Sequence, residues 1–305
     1  MNIAQVIVNS IVSAAELGIV AVGLTLTFSI LKFANFAHTE TAVMGGYLAY
    51  VFNAALGLDF TLSLVLAALI MGFVGILFDR GLFRVMRDKG DVTPMIASLG
   101  LAIAIRHAIQ AIWGPQNVRY DYEVEQGIEV AGAFITEPQI GIIVIVVVAM
   151  LAFQVMLKYT SIGKAMRATA TNPTLAQASS IDTERVILLV WFIGTSFAAI
   201  GGVLVAWDTQ LDPYLGFNIT IPVFCVVLIG GVGSMYGAII GALIVGFAQN
   251  LGVSLDFASL INSFGLIEAV DVFRLPAAYK PAIVYAAVIL VLLLKPSGLA
   301  KRELL

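Results

Sequence analysis

The sequence predicts an all-α, polytopic bundle of about eight or nine transmembrane helices, some of them broken or re-entrant. Of the 305 residues, 60% are apolar and only 11% are charged, whereas soluble domains are about 45–50% apolar and about 25% charged. The chain contains eight or nine apolar stretches close to the roughly 20 residues that cross a bilayer. These stretches do not alternate with period two, which argues against a β-barrel.

Apolar runs assign the helices in order along the chain. No segment between the runs reaches the roughly 50 residues of an independent domain, so residues 1–305 form a single transmembrane domain. The seventh run is short and ends at Gly230–Ser234, so this run and the next are either two full crossings or one broken helix. The predicted helices are residues 5–31, 41–57, 60–79, 95–113, 139–157, 186–207, 221–233, 236–255 and 277–294.

The placement of charge predicts the orientation, because cytoplasmic loops are enriched in Lys and Arg. Twelve of the sixteen basic residues fall on alternating loops that one orientation places together. We therefore expect an outside N-terminus, nine crossings and a cytoplasmic C-terminus. The basic set is Lys32, Arg80, Arg84, Arg87, Lys89, Lys158, Lys164, Arg167, Arg185, Lys295, Lys301 and Arg302, and the opposite loops carry Asp121, Glu123, Glu125, Glu129, Glu137, Asp256, Glu268 and Asp271.

Composition also excludes several classes of partner and cofactor. The net charge of −3 argues against nucleic acid, which would require a basic surface. Cys225 is the only cysteine and lies in an apolar run, which rules out a disulfide within the chain and a thiolate metal site. The N-terminus lacks the basic start of a cleavable signal peptide. No G-x4-G-K-[ST] phosphate loop occurs, so any ATP and Mg²⁺ must be bound by other chains.

Two polar or glycine-rich interruptions are candidates for a solute pathway, because transporters often build the pathway from discontinuous helices. One is the hexapeptide NFAHTE at residues 35–40, and the other is the GGVGSMYG segment at residues 230–237. For any single glycine, close helix packing is the simpler explanation. The candidate pathway residues in these segments are Asn35, His38, Thr39, Glu40, Gly231, Gly233 and Ser234.

Ionisable residues inside the apolar runs are further candidates, since each costs roughly 2.5–3.5 kcal/mol on the insertion scale. Arg106 either lines the solute path or extends toward the outer interface, because Trp113 follows only seven residues later. Glu16 either lines the path or reaches water at the outer end of its helix. We expect His38 and Glu40 near the inner face, hydrogen-bonded to the helix break rather than transferring protons.

The segment between Lys158 and Arg185 has the features of a cytoplasmic docking element. Its residues favour a helix over 161–171, a second short helix capped by Asn172 with Pro173 in its first turn, and a next span capped by Asp182. We expect Ala165, Met166, Ala168 and Leu175 to form an apolar docking face, with Lys164 and Arg167 at its rim. The alternative is an interfacial helix that lies on lipid headgroups.

Several motifs resemble the H-type permease subunit of the branched-chain amino-acid (LIV) family of ABC importers. The stretches GLTLTFSILKFANFAHTE (23–40), LDPYLGF (211–217), LIGGVGSMYGAIIGALIVG (228–246) and LLLKPSGL (292–299) are similar to family signatures in the right order. GKAMRATATNPTLAQASSID (163–182) resembles the family's ATPase-coupling loop, G-x-A-x-R-A-x-A-x-N-P-x-x-A-x-x-x-G-I. The residues that match it are Gly163, Ala165, Arg167, Ala168, Ala170, Asn172, Pro173, Ala176 and Ile181.

The resemblance implies a permease rather than an enzyme, located in the inner membrane of a bacterium. It implies a second permease, usually a related chain, two cytoplasmic ATPases and a periplasmic solute-binding protein facing loops 207–217 and 256–274. The coupling loop would then comprise residues 158–185, with Lys164 beside the matched positions. Thr39 and Ser180 replace glycines of the family pattern, and Glu16 stands where a small or uncharged residue is expected, which leaves the solute open.

Two other classes of function remain alternatives at this point. An ion-coupled secondary transporter or channel would use Glu16, Arg106 and His107 without ATPases. An intramembrane enzyme would need a nucleophile such as Ser234 beside one of the two histidines, His38 and His107. Branched-chain amino acids are the first candidates for the solute. Other amino acids, urea or short amides, and small aromatic or carboxylic acids follow.

Overall fold

Helices form wherever the chain offers a long apolar run, because backbone groups in lipid must satisfy one another. The computed structural model describes residues 2–122, 127–258 and 273–300. Its helices are α1 (Ile3–Leu31), α2 (His38–Tyr50), α3 (Phe60–Phe78), α4 (Val92–Trp113), α5 (Glu137–Tyr159), α6 (Ser161–Thr171), α7 (Pro173–Ala178), α8 (Thr183–Asp208), α9 (Leu215–Gly230), α10 (Met235–Ser254) and α11 (Lys280–Leu294).

Short elements complete these helices. Two π-helical turns, Val51–Ala55 and Asp79–Phe83, extend α2 and α3, and the latter leads into a 3₁₀ turn at Arg84–Met86. Strands β1 (Ile128–Val130) and β2 (Ala133–Ile135) pair as an antiparallel hairpin. Within the described residues, seven helical segments are long and apolar enough to cross a membrane, and α9 is a shorter apolar helix. The predicted all-α multi-pass architecture is confirmed.

The bundle has two ends, which α1 connects. Near its N-terminus, Gln5 Nε2 donates to the carbonyl of Phe134 in the β-hairpin at 3.1 Å. Beyond its C-terminus, Lys32 Nζ donates to the carbonyl of Ala170 in α6 at 3.1 Å. We call these two ends the hairpin end and the α6–α7 end. Lys301 and Arg302, which the orientation prediction used, lie outside the described residues, as do Glu123, Glu125, Glu268 and Asp271.

Two helices, α2 and α9, begin inside the bundle rather than at its ends. His38, the first residue of α2, bonds through Nε2 to the carbonyl of Val20 at 3.0 Å. Val20 lies about 16 Å along α1 from its C-terminal residue Leu31, at the 1.5 Å rise of an α-helix. The first residues of α9 pack against those of α2, because a Cβ at Gly216 would lie 2.7 Å from Glu40 Oε2. From this shared level, α2 runs to the hairpin end and α9 to the α6–α7 end.

The α9–α10 connection is a tight turn between two antiparallel helices, which answers the question that the sequence left open. Gly231 and Gly233 adopt φ angles of 101° and 91°, a region that L-residues with a Cβ rarely enter. The turn lies at the α6–α7 end, where the amide of Leu299 donates to the carbonyl of Ile229 at 2.9 Å. Residues 221–255 therefore belong to two passes, and α9 begins six residues before the predicted position 221, with Pro222 in its interior.

Candidate functional site

An ion pair lies inside the bundle between α2 and α4. Arg106 Nε donates to Glu40 Oε1 at 3.0 Å, and Nη2 of the same guanidinium also contacts this oxygen. The Glu40 side chain is 1% exposed and that of Arg106 is 16% exposed. Arg106 therefore extends into the bundle, and of the two alternatives from the sequence, extension toward the outer interface does not occur. No local feature of the sequence indicates that these two residues pair.

Polar groups from α2 and α9 surround this pair. Thr39 Oγ1 and Thr220 Oγ1 are 2.7 Å apart and share a hydrogen bond. The Arg106 guanidinium lies over the Phe217 ring, 4.9 Å from its centroid. Glu40 Oε2 is buried without a hydrogen-bond partner among the described residues. We call Thr39, Glu40, Arg106, Phe217 and Thr220 the midspan cluster.

The midspan cluster borders a surface that is open in the single chain. Phe217 and Ile221 of α9 are 58% and 46% exposed, and Ile103 of α4 is 54% exposed. The cluster adds a carboxylate, a guanidinium and two hydroxyls beside these exposed apolar residues. The N-terminus of α2 carries a partial positive charge that favours a carboxylate such as Glu40 in its first turn. This arrangement can hold a charged or polar solute inside the membrane.

Two loops cover the cluster from the hairpin end. Val118 and Leu211 exchange backbone hydrogen bonds of 3.0 and 2.9 Å, which joins the loop after α4 to the loop before α9. Tyr120 is buried and donates from its hydroxyl to the carbonyl of Gly46 in α2 at 3.0 Å. The amide of Asp121 donates to Asn53 Oδ1 at 2.7 Å. The last two of these bonds fasten the cover to α2 and to the π-helical turn that extends it.

The polar hexapeptide is a helix break, as predicted, but it lies deeper than the sequence indicated. Asn35 Oδ1 accepts from the amide of Ala37 at 3.1 Å, and Phe36 stacks on Phe224 of α9. His38 is fully buried against α1. The expectation that His38 and Glu40 lie near the inner face is wrong, because residues 32–37 lead the chain back into the bundle before α2 begins.

Glu16 lies apart from the midspan cluster, toward the hairpin end of α1. Its Oε1 is buried and has no hydrogen-bond partner among the described residues. Of the two alternatives for Glu16, contact with water does not occur at Oε1, and a place on the solute path stays a prediction. A polar cavity of about 190 Å³ lies between the hairpin-end portions of α1, α5, α8, α10 and α11. It is lined by Asn9, Val12, Ser13, Gln139, Asp208, Asn250 and Lys280.

Gly231, Gly233 and Ser234 occupy the α9–α10 turn and do not meet the midspan cluster. Ser234 caps α10, since its Oγ accepts from the amide of Gly237 at 3.0 Å. Ser29 Oγ of α1 donates to the Gly233 carbonyl at 3.4 Å. The structure thus gives these three residues a role in closing the turn and in joining it to α1, and their role in the solute pathway stays a prediction.

At the other end, α6 and α7 form a short helical hairpin whose caps agree with the sequence. Asn172 Oδ1 accepts from the amide of Leu175 at 3.0 Å, with Pro173 in the first position of α7. Asp182 Oδ1 accepts from the amide of Arg185 at 3.1 Å and caps α8. Gly163 lies so close to α5 that a Cβ would overlap the carbonyl of Leu157. These predicted caps are confirmed.

An open groove of about 340 Å³ runs between α6 and α7. Leu175 on its wall is 64% exposed, and Ala168 also lines it. Met166 is fully buried in the chain itself, so its predicted place on the docking face is wrong. Arg167 lines the groove but donates from Nη1 to the carbonyl of Leu157, in the last turn of α5. The groove is lined by Arg167, Ala168, Thr171, Asn172, Leu175, Ala176, Ser179 and Ile181.

Comparison with known proteins identifies the family. A family model described as "Branched-chain amino acid transport system / permease component" matches residues 6–293. The chain belongs to this family. It is 30% identical to the high-affinity branched-chain amino acid transport system permease protein LivH of Escherichia coli (strain K12), over 98% of this chain and 95% of that protein.

Two more distant relatives are also named as branched-chain amino acid permeases. The high-affinity branched-chain amino acid transport system permease protein BraD of Pseudomonas aeruginosa is 27% identical over 98% of this chain and 95% of that protein. The probable LivH permease of Methanocaldococcus jannaschii is 26% identical over 81% of this chain and 80% of that protein. The solved structure of PsaBC from Streptococcus pneumoniae in complex with Fab covers 95% of this chain and 91% of that chain, with 15% identity and a TM-score of 0.46.

Family membership confirms the prediction of a transport permease rather than an enzyme. The chain is a multi-pass permease subunit of an ABC importer, a class of transporter that works with partner subunits. Membership therefore favours the importer over the ion-coupled secondary transporter. The geometry disfavours an enzymatic Ser234 as well, because its hydroxyl caps α10 while the buried His38 bonds to Val20.

Ser180, in the turn after α7, has an unusual backbone conformation. Ser180 adopts a φ of 65°, the left-handed region that glycine enters without steric cost. It stands before Ile181, where the family pattern quoted above has glycine. Glycine would suit this backbone conformation better than the serine that occupies it.

Proposed function

We propose that this permease carries branched-chain amino acids, or closely related apolar amino acids, into the cytoplasm through the inner membrane of a bacterium. The observation that carries the proposal is the midspan cluster, which offers an acid, a guanidinium and two hydroxyls beside exposed apolar residues of α4 and α9. An amino acid presents an ammonium and a carboxylate, and Glu40 and Arg106 match these two groups. The names of the relatives support the same class of solute.

The solute path would run between this chain and a second permease, which we propose to be a related chain. The surface formed by α4 and α9 is the place for that subunit, because its apolar residues remain exposed in the single chain. Two such surfaces facing each other would enclose a path with the midspan cluster on its wall. A charged group in a membrane protein ordinarily faces such an interior or a water-filled cavity.

Two cytoplasmic ATPases would drive the permease pair through α6 and α7. The open groove between these helices, with Leu175 exposed on its wall, fits an inserted helix or loop of such a partner. Gly163, Lys164, Ala165, Arg167, Ala168, Asn172 and Pro173 are the proposed coupling residues. ATP and Mg²⁺ would bind to the ATPases, and their closure would displace α6 and α7 and shift the permease between its outward and inward arrangements.

This function requires the α6–α7 end in the cytoplasm and the hairpin end in the periplasm. A solute-binding protein would then dock over the loops at residues 207–217 and 256–274, of which residues 259–272 lie outside the described part of the chain. Asp256, at the edge of this surface, accepts from the amides of Phe273 and Ala258 at 2.9 and 3.0 Å. These bonds lower the pKa of Asp256, so its carboxylate stays charged and can face basic residues of that partner.

Uptake by proteoliposomes tests the proposal. The vesicles contain this chain, the second permease and the ATPases, and the binding protein is added outside with radiolabelled leucine. We expect accumulation only with ATP at the ATPases, with competition by isoleucine and valine but not by urea or an aromatic acid. Uptake without ATPases, or competition by urea alone, contradicts the proposal.

A further inference from the structure

A second cavity at the α6–α7 end has no part in the proposed solute path or in the docking groove. It measures about 390 Å³, within the range of about 300–1,000 Å³ for small-molecule pockets. One wall is formed by Thr169, Pro173 and Gln177 of the helical hairpin α6–α7, which we call the coupling hairpin after its proposed role. The other walls come from the C-terminal end of α1, from residues 79–94 and from the first turns of α8. We call this space the end cavity.

One wall of the end cavity is apolar and rigid. Phe33 and Phe83 line it and stack with ring centroids 5.3 Å apart. Trp191 stacks behind Phe83 at 4.9 Å and is buried. Ile30 and Ile187 also line the cavity. This wall suits an aliphatic side chain of a ligand, which would remove apolar surface from water.

The second wall contains Arg87, which has one hydrogen-bond donor without a partner among the described residues. Arg87 Nη2 contacts both carboxylate oxygens of Asp79 at 2.6 Å, and Nη1 contacts Glu184 at 2.5 Å. Arg87 Nε is buried and has no hydrogen-bond partner in the described part of the chain. Buried polar atoms are normally hydrogen-bonded, so the unpaired Nε of a residue that lines a cavity requires an explanation.

A second unsatisfied group lies on the side of the coupling hairpin. Thr169 is 2% exposed, and its Oγ1 lacks a partner among residues 2–122, 127–258 and 273–300. Thr169 and Arg87 both line the end cavity, so two buried polar atoms without partners belong to the residues around one space. A carboxylate inside the cavity would accept hydrogen bonds from these two groups once the side chains of Arg87 and Thr169 rotate toward it.

Acidic side chains supply the complementary charge. Asp88 and Asp91 line the end cavity and are exposed, and neither forms an ion pair within the described residues. They can receive an ammonium group at the mouth while an aliphatic chain lies on the aromatic wall. We propose that the end cavity binds an α-amino acid with an apolar side chain, from the side of the membrane on which the ATPases sit. This proposal rests on the proposed function for its sidedness and names a site on the product side.

Such a ligand would act on the transport cycle. The end cavity is bounded by the coupling hairpin, by the segment after α3 and by the start of α8, so a bound molecule contacts parts that must move relative to one another. A ligand shifts a conformational equilibrium toward the state that it binds more tightly. Product bound here would hold the coupling hairpin in the arrangement of this structure and slow further ATP-driven cycles.

Isothermal titration of the full chain in lipid nanodiscs tests the site, with three probes. L-leucine has both charges, 4-methylpentanoate lacks the ammonium and 3-methylbutylamine lacks the carboxylate. We expect saturable binding of leucine and at least about tenfold weaker binding of the two analogues. Thr169→Val and Asp91→Asn should each weaken leucine binding by about three- to tenfold, whereas the exposed Thr174→Val in α7 should leave it unchanged.

The outcomes separate this inference from the proposed function. No saturable leucine binding, or identical binding by wild type, Thr169→Val and Asp91→Asn, overturns the site in the end cavity. Binding that is lost in Arg106→Gln but retained in Thr169→Val assigns leucine to the midspan cluster and overturns it as well. ATP-driven uptake is measured in parallel in wild type, and its failure counts against the proposed function whatever the titration shows.

Discussion

Replacing Leu175 by alanine tests whether the groove between α6 and α7 holds a partner subunit. The side chain projects from α7 and is 64% exposed, so the single chain gains little from it. The cap of α7 uses the backbone amide of residue 175, which the alanine variant keeps. The substitution therefore removes docking surface while leaving the fold of the hairpin intact.

The expected magnitude follows from the exposed area. Full burial of a leucine side chain contributes about 1.5–3 kcal/mol. Because 64% of Leu175 remains to be covered, docking would gain about 1–2 kcal/mol from it. At 1.4 kcal/mol for each factor of ten, Leu175→Ala should raise the Kd for the ATPase subunits by about 5- to 30-fold.

The assay is fluorescence anisotropy of labelled ATPase subunits titrated with the permease pair in nanodiscs. Leu56→Ala is the matched control, because Leu56 is 62% exposed and lies at the hairpin end. It should leave the Kd unchanged. An unchanged Kd for Leu175→Ala, or an equal loss for the control, would refute the assignment of the groove to the ATPases.

Four further outcomes are expected. Arg167→Glu should abolish ATPase co-purification without preventing membrane insertion and should also lower the Tm, because Arg167 bonds to the end of α5; the exposed Lys164→Glu should weaken co-purification alone. Removing either Glu40 or Arg106 should cost about 3–5 kcal/mol of stability by leaving a buried charge unpaired. The double variant Glu40→Gln/Arg106→Met should restore the Tm but not leucine uptake. Normal uptake in this double variant would assign the ion pair a purely structural role. Ser180→Gly should raise the free energy of unfolding by about 0.5–1 kcal/mol, measured by thermal denaturation in detergent, since the left-handed conformation costs an L-residue roughly 1–2 kcal/mol. A reporter fused after the last residue should be active in the cytoplasm, and periplasmic activity would reverse the orientation.

The positions of most helices could be predicted from the sequence because lipid imposes a narrow length on each apolar run. The predicted helix 139–157 is found at Glu137–Tyr159, and 186–207 at Thr183–Asp208. The caps at Asn172 and Asp182 could also be predicted, because each depends on two residues only three positions apart.

The apolar runs do not predict that α2 and α9 begin inside the bundle. Hydropathy reports that a segment is apolar, not the depth at which its helix begins. The apolar run suggested a helix start at residue 221, but α9 begins at Leu215 and accommodates Pro222 in its interior. The pairing of Arg106 with Glu40 joins residues 66 positions apart on two helices. No local sequence pattern predicts such a contact. The candidate site is therefore evident only in the packed arrangement of the helices.

The packing of α8 explains how a displacement at the α6–α7 end can reach the midspan cluster. Gln177 Nε2 of α7 donates to Thr183 Oγ1, in the first turn of α8, at 2.8 Å. Farther along α8, Gly202 lies so close to α2 that a Cβ would overlap the carbonyl of Ala42. Ala42 is only two residues beyond Glu40 on the same helix. Because packed interiors have no free space to absorb a shift, α8 cannot move at this crossing without moving α2 and its carboxylate.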